Sequence, residues 1–165
     1  MQPRLNFAKA APDAYKAVAA LDQYVKHESN LDRRLIHLIK LGASQINGCA
    51  YCLDMHSKDA RSGGETEQRL YGLSAWREMP FYTPRERAAL ALTEAVTLIA
   101  NGHVSDELYA QVREHFSEEE TVKLMINILM INTWNRLAIT FRDEPGTYLP
   151  DHFTTQSAQA LLKSE

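Results

Sequence analysis

The amino-acid sequence predicts an all-α helical bundle folded as a single domain over residues 1–165. No stretch alternates apolar and polar residues over more than a few positions, so strands are not indicated. Helix start and stop signals recur along the chain. A length of 165 residues and a hydrophobic content of 45% are enough for one domain with a buried core.

Two long helices come first, separated by a short break. Pro12-Asp13 opens a helix over about 12–28, which Ser29-Asn30 ends. Asn30 caps the next helix, which stops at Asn47-Gly48 because glycine tolerates the left-handed conformation that follows a helix. The side chains predicted to face inward are Ala17, Ala20, Leu21 and Tyr24 on the first helix and Leu35, Leu38, Ile39 and Leu41 on the second.

Two shorter helices follow that glycine. The first spans about 49–61, contains both cysteines and ends at Ser62-Gly63-Gly64. The second spans about 66–73, and Trp76-Arg77-Glu78 adds one more turn. Cys49 is therefore expected in the first turn of its helix.

Capping signals predict the last three helices. Thr83-Pro84-Arg85-Glu86 combines a capping threonine, a proline at the first helical position and a glutamate at the third, and starts a helix to about residue 100. Ser105-Asp106-Glu107 starts another, to about residue 115. Ser117-Glu118-Glu119-Glu120 is a second capping box and opens a long helix.

This long helix, over about 118–142, is apolar on more than one face. A helix that is apolar all round is usually buried, either in the core of one chain or partly against another subunit. We expect the second arrangement and therefore a homo-oligomer. Pro145-Gly146 and Pro150 mark a loop before a weak helix predicted after Thr154.

Composition narrows the classes of function. The net charge is −3, with acids and bases interspersed, so nothing favours binding to nucleic acid or to an anionic membrane. The N-terminus has no apolar signal-peptide region, and no apolar run approaches the ~20 residues of a membrane span. Two cysteines are too few for a secreted disulfide scaffold, so we expect a cytoplasmic protein whose C-x-x-C motif is catalytic or metal-binding.

Cys49, Cys52 and His56 carry the strongest chemical signal. Their spacing places them on one face of a helix. The start of a helix favours the thiolate form of cysteine, and His56 can take the proton of the thiol. A thiolate oxidised by a peroxide becomes a sulfenic acid, which a second thiol one turn away converts to a disulfide.

Two other interpretations of these residues stay open. The cysteines could be small buried hydrophobic residues, with His56 on the surface. Alternatively, both cysteines and His56 could bind zinc together with His37 of the preceding helix. No second C-x-x-C or H-x-x-x-H follows, so no metal is expected.

Segment 38–56, with its Ser-Gln-x-Asn-Gly-Cys-x-x-Cys-x-x-x-His core, resembles the alkylhydroperoxidase D-like branch of the carboxymuconolactone decarboxylase family. Segments 76–78, 83–91 and 132–136 are also similar, and the resemblance covers a core of about 15–145. It implies an all-α, alkylhydroperoxidase D-like bundle assembled as trimers or hexamers. It also implies a cofactor-free thiol peroxidase or disulfide reductase.

The resemblance assigns roles to individual residues. In this family the second cysteine, here Cys52, is peroxidatic and the first, here Cys49, is resolving, while the matching histidine, His56, belongs to a proton relay. A glutamate of that relay falls on His37 here, and Tyr51 stands where the prototype has a histidine. We expect His37 either to pack as a structural histidine or to move protons and orient His56.

The function expected is that of an antioxidant enzyme without a cofactor. Cys52 attacks a peroxide, Cys49 closes the disulfide, and a thiol or dithiol reductant, of a lipoyl- or thioredoxin-like kind, restores the pair. One alternative is a zinc-binding or helical assembly protein with structural thiols. Another is a ring-decarboxylating enzyme of the wider family, whose members generally lack this cysteine pair.

Overall fold

Helices make up the computed structural model, which describes residues 2–150. Within that range there are eight α-helices, one 3₁₀ turn at Leu73–Ala75 and no strand, so the all-α prediction is confirmed. The weak helix predicted after Thr154 lies outside the described residues. The helices are α1 (Phe7–Ala10), α2 (Pro12–His27), α3 (Arg33–Asn47), α4 (Ala50–Ser62), α5 (Glu67–Tyr71), α6 (Pro84–Thr97), α7 (Asp106–His115) and α8 (Glu118–Phe141).

Helix α3 lies at the centre and packs against α4, α6 and α8. Its four residues predicted to face inward are all buried, with Leu38 and Ile39 fully inaccessible. On one side, these side chains meet buried residues of α6 and α8, among them Ala88, Leu124 and Ile128. Because α3 is enclosed in this way, the turn at its C-terminal end has a fixed position in the bundle.

The cap of α3 differs from the prediction. Asp32 caps the helix, because its carboxylate accepts the backbone N–H groups of Arg34 and Leu35 at 2.9 and 3.1 Å. Asn30 instead has a φ of 55°, a left-handed conformation that an N-cap residue does not adopt. The predicted cap of α3 therefore lies two residues before the observed one.

The orientation of α2 was also predicted wrongly. Ala17, Ala20, Leu21 and Tyr24 are exposed, with Leu21 at 45% and Tyr24 at 40%. Val25 and Asp22 are buried instead. Asp22 turns inward because its carboxylate meets the buried ammonium group of Lys40 on α3, so an ion pair decides which face of α2 is covered.

Helix α8 buries one face and exposes another. Leu124, Ile128 and Ile131 are fully buried, while Val122, Leu129 and Ile139 are 63%, 44% and 45% exposed. Part of the apolar surface of α8 is therefore exposed in the part of the chain that the structure describes. The homo-oligomer expected from this surface stays a prediction.

Both predicted capping boxes are present, and the one that starts α6 can be tested. Thr83 accepts the backbone N–H of Glu86, whose carboxylate accepts the backbone N–H of Thr83. Thr83→Ala leaves a helix-end donor unpaired and should lower the free energy of unfolding by about 1 kcal/mol. Urea denaturation measures this change. Thr83→Ser keeps the hydroxyl and should stay close to wild type, so an equal loss in both variants would contradict the capping role.

Candidate active site

The turn between α3 and α4 sets the position of both cysteines. Gly48 adopts a φ of 69°, and the N–H of Cys49 returns to the carbonyl of Ser44 at 3.0 Å. Cys49 is the N-cap of α4, which begins at Ala50. The prediction placed Cys49 inside the first turn, so the helix starts one residue later than predicted. Its Sγ accepts the N–H of Cys52 at 3.3 Å, so an amide of the helix start points at this sulfur.

Cys49 and Cys52 are joined as a disulfide, with Cα atoms 5.3 Å apart. Both are 1% exposed and pack with Ala138 of α8 and the half-buried Tyr51. Their Cα separation lies within the usual range for disulfides. The motif is therefore able to close an intramolecular disulfide within one helical turn.

His56 lies one turn after Cys52 on α4 and is 5% exposed. Its Nδ1 is 3.5 Å from Oδ2 of Asp59. Burial lowers the pKa of His56, and the charge of Lys40 lowers it further, although the contact with Asp59 acts to raise it. The imidazole is consequently neutral near pH 7 and able to accept a proton.

His37 on α3 is also influenced by the charge of Asp59. Burial lowers the pKa of His37 from 6.5 to about 4, against the opposing charge of Asp59. Its Nδ1 is buried and has no hydrogen-bond partner among residues 2–150. The structure thus pairs His56 with Asp59, and the charges of both groups act on His37, whose role in proton transfer stays a prediction.

A buried ion pair between α2 and α3, which the sequence pattern does not predict, influences the charge of both histidines. Lys40 is 4% exposed, and its Nζ is 3.7 Å from Oδ1 of Asp22, whose Oδ2 also meets Lys26 at 2.7 Å. Burial lowers the pKa of Lys40, and the Asp22 carboxylate opposes this shift. The sequence does show a lysine between apolar positions of this helix, which could have indicated a buried ion pair. Such lysines usually extend their charged group to the surface, so the pattern alone does not predict one.

Asparagines fasten the cysteine turn to α8. The side-chain N–H groups of Asn47 donate to Asn132 at 3.0 Å and to Asn135 at 2.8 Å. Asn135 in turn donates to the Ser44 hydroxyl at 3.0 Å, and both of these residues are fully buried. This buried hydrogen bond holds the C-terminal end of α3 against α8.

Two surface cavities, of about 320 and 280 Å³, border this region, but neither is lined by a cysteine or by His56. Within the described part of the chain, no group of three or more His, Cys, Asp or Glu side chains could hold a metal ion. The alternative zinc site thus finds no ligand set there. None of the described helices is long and apolar enough to cross a membrane.

Comparisons with known proteins agree with this geometry. The model of the carboxymuconolactone decarboxylase family matches residues 12–95. The uncharacterized protein YdfG of Bacillus subtilis (strain 168) is 49% identical over 139 residues, which cover 84% of this chain and 94% of that protein.

Solved structures share the fold. A protein of unknown function from Agrobacterium tumefaciens, described as a candidate antioxidant defence protein AhpD, is 50% identical with a TM-score of 0.86, covering 89% of this chain and all of that one. The debrominase Bmp8, at 20% identity, matches in fold alone, with a TM-score of 0.73 over 84% of this chain and 74% of its own. The chain belongs to the carboxymuconolactone decarboxylase family, as an alkylhydroperoxidase D-like member.

Proposed function

We propose that this protein is a cofactor-free thiol peroxidase. The observation that carries the proposal is the buried Cys49–Cys52 pair, able to form a disulfide, with His56 one turn further along the helix. The Cys52 thiolate attacks one peroxide oxygen and the O–O bond breaks, giving a sulfenic acid and an alkoxide. Cys49 then attacks the sulfenic sulfur, closes the disulfide and releases the oxygen as water.

His56 moves the proton in the first step. It takes the proton of the Cys52 thiol and gives it to the alkoxide, which leaves as an alcohol. A lowered pKa suits this role because the imidazole begins neutral. The N–H of Cys52 points at Cys49 Sγ, so it stabilises a thiolate on Cys49 when that sulfur attacks and when a reductant later displaces it.

The disulfide needs two electrons to return to the dithiol. A dithiol reductant, of a lipoyl- or thioredoxin-like kind, supplies both through one thiol–disulfide exchange and becomes a disulfide itself. We place this cycle in the cytoplasm, where such reductants keep thiols reduced.

We also propose a homo-oligomer, a trimer or hexamer, in which another copy covers the exposed apolar residues Val122 and Leu129 of α8. Sedimentation equilibrium measures its size.

The function is tested by a stoichiometric pulse of peroxide on the reduced protein. We expect two thiols per chain to disappear, with one alcohol formed per peroxide, and dithiothreitol to restore both thiols. The metal content is measured on the same sample. If the thiols stay inert to peroxide and one metal is bound per chain, the peroxidase proposal is wrong and the zinc-binding alternative is supported.

A further inference from the structure

We infer that Asp59 positions His56 by holding a proton on its Nδ1, and that Tyr148 fixes Asp59 in turn. Neither residue belongs to the C-x-x-C-x-x-x-H pattern. The role rests on the proposed thiol chemistry, since it concerns the base that activates Cys52. It assigns to Asp59 the negative charge that His37, as a histidine, cannot supply.

The geometry gives each oxygen of Asp59 a different partner. Oδ2 is 3.5 Å from Nδ1 of His56, and Oδ1 accepts the hydroxyl of Tyr148 at 2.6 Å. By hydrogen-bond geometry neither buried ring nitrogen of His56 has a partner among the residues that the structure describes, and the carboxylate within ion-pair distance of Nδ1 is that of Asp59. Asp59 is therefore the group that decides which nitrogen carries the proton.

Tyr148 reaches Asp59 because the chain after α8 folds back over α4. We call residues 143–150 the C-terminal strap. The N–H of Gly146 donates to Oδ2 of Asp54 at 2.9 Å, and Lys58 donates to the carbonyl of Tyr148 at 3.0 Å. The strap is thus bound to α4 at two other residues, and these contacts fix the position of the Tyr148 hydroxyl along α4, next to Asp59.

Charges around His56 make this carboxylate necessary. The charge of Lys40 on α3 disfavours a positive charge on His56, whereas Asp59 on α4 and Asp22 on α2 favour one; His37 on α3, with a pKa of about 4, is neutral at neutral pH. Burial raises the pKa of Asp59, but the contact with His56 and the hydrogen bond from Tyr148 lower it overall, so the carboxylate is ionised at neutral pH. With its proton kept on Nδ1, His56 presents Nε2 as acceptor, and the imidazolium formed has a counter-charge beside it.

The test replaces Asp59 by asparagine, a side chain of the same shape. Because the Tyr148 hydroxyl donates, it selects the carbonyl oxygen of the introduced amide and leaves the NH₂ group facing Nδ1. We expect Asp59→Asn to move the His56 proton to Nε2, which ¹⁵N imidazole NMR detects. Peroxide-dependent thiol loss should fall about 100-fold or more, because the proton acceptor is lost.

Two further variants make the result specific. Asp54→Asn is the matched control, because the amide oxygen of the introduced asparagine still accepts the N–H of Gly146 and so keeps the strap in place, and Asp54 is not paired with a histidine among the described residues; this variant should keep the wild-type proton position and rate. Adding Tyr148→Phe to Asp59→Asn frees the amide to turn its carbonyl toward Nδ1. We expect this double variant to recover part of the Nδ1-protonated form and about tenfold of the lost rate.

An unchanged proton position in Asp59→Asn overturns the inference, as does an equal loss of rate in Asp54→Asn. The NMR measurement needs no peroxide. If the wild-type protein shows the Nδ1 proton but no reaction with peroxide, the proposed peroxidase fails while the positioning role of Asp59 stands. Dependence of the rate on pH gives a second readout, because only the Asp59 variant should alter the titration of the base.

Discussion

Cys52→Ser is expected to abolish the reaction with peroxide, with a loss on the order of 10³-fold or more, because a serine hydroxyl beside one histidine is a far poorer nucleophile than a thiolate. Cys49→Ser should retain the first step and lose the second. In that variant one thiol per chain is consumed, no internal disulfide forms, and the sulfenic acid on Cys52 can be trapped with dimedone. Mass spectrometry of the intact chain after a peroxide pulse distinguishes these outcomes.

The matched pair of variants also tests the direction of the reaction. His56, one turn after Cys52, favours Cys52 as the attacking thiol, whereas the amide that points at Cys49 Sγ favours a thiolate on Cys49. If Cys49→Ser were inert and Cys52→Ser formed the trapped sulfenic acid, the roles would be reversed. Both variants should be compared with the reduced wild-type protein, so that loss of the disulfide does not alter stability between samples.

Local signals predicted most of the fold. The capping boxes at Thr83 and Ser117 place the starts of α6 and α8 correctly, because a cap depends on residues three positions apart. The covered face of α2 could not be predicted in the same way. Its apolar stripe would suit a core, but the ion pair between Asp22 and Lys40 joins two helices and is invisible to periodicity.

The same distinction applies to the site. Spacing was enough to place Cys52 and His56 one turn apart, since α4 is regular over that stretch, and Cys49 is close to Cys52 although it caps the helix and precedes its regular part. Asp59 was within reach of this reasoning, three residues after His56, but an acidic residue on a helix is ordinarily solvated. Tyr148 lies 89 residues from Asp59 in the chain, so only the path of the strap brings them together.

A loss of stability in mild acid is the second large effect we expect. In the unfolded chain His37 binds a proton near its ordinary pKa of 6.5, whereas in the folded protein its pKa is about 4. Between these values the unfolded state holds more protons, so the free energy of unfolding falls as the pH is lowered. At about 1.4 kcal/mol per pKa unit, His37 alone accounts for about 3 kcal/mol between pH 7 and pH 4. His56, whose pKa is also lowered, acts in the same direction.

Urea denaturation at a series of pH values measures this effect, and two variants assign it. His37→Gln removes the titrating group, so its stability should decline less steeply between pH 6.5 and pH 4, while His103→Gln, at an exposed loop position, should follow wild type. Carboxylates whose pKa is lowered, such as Asp22 and Asp59, contribute only as the pH falls below about 4, where their unfolded forms gain protons. The pH range in which the histidines reduce stability therefore lies above the range in which the carboxylates do. A decline that His37→Gln leaves unchanged would show that His37 accepts its proton in the folded protein as readily as in the unfolded chain.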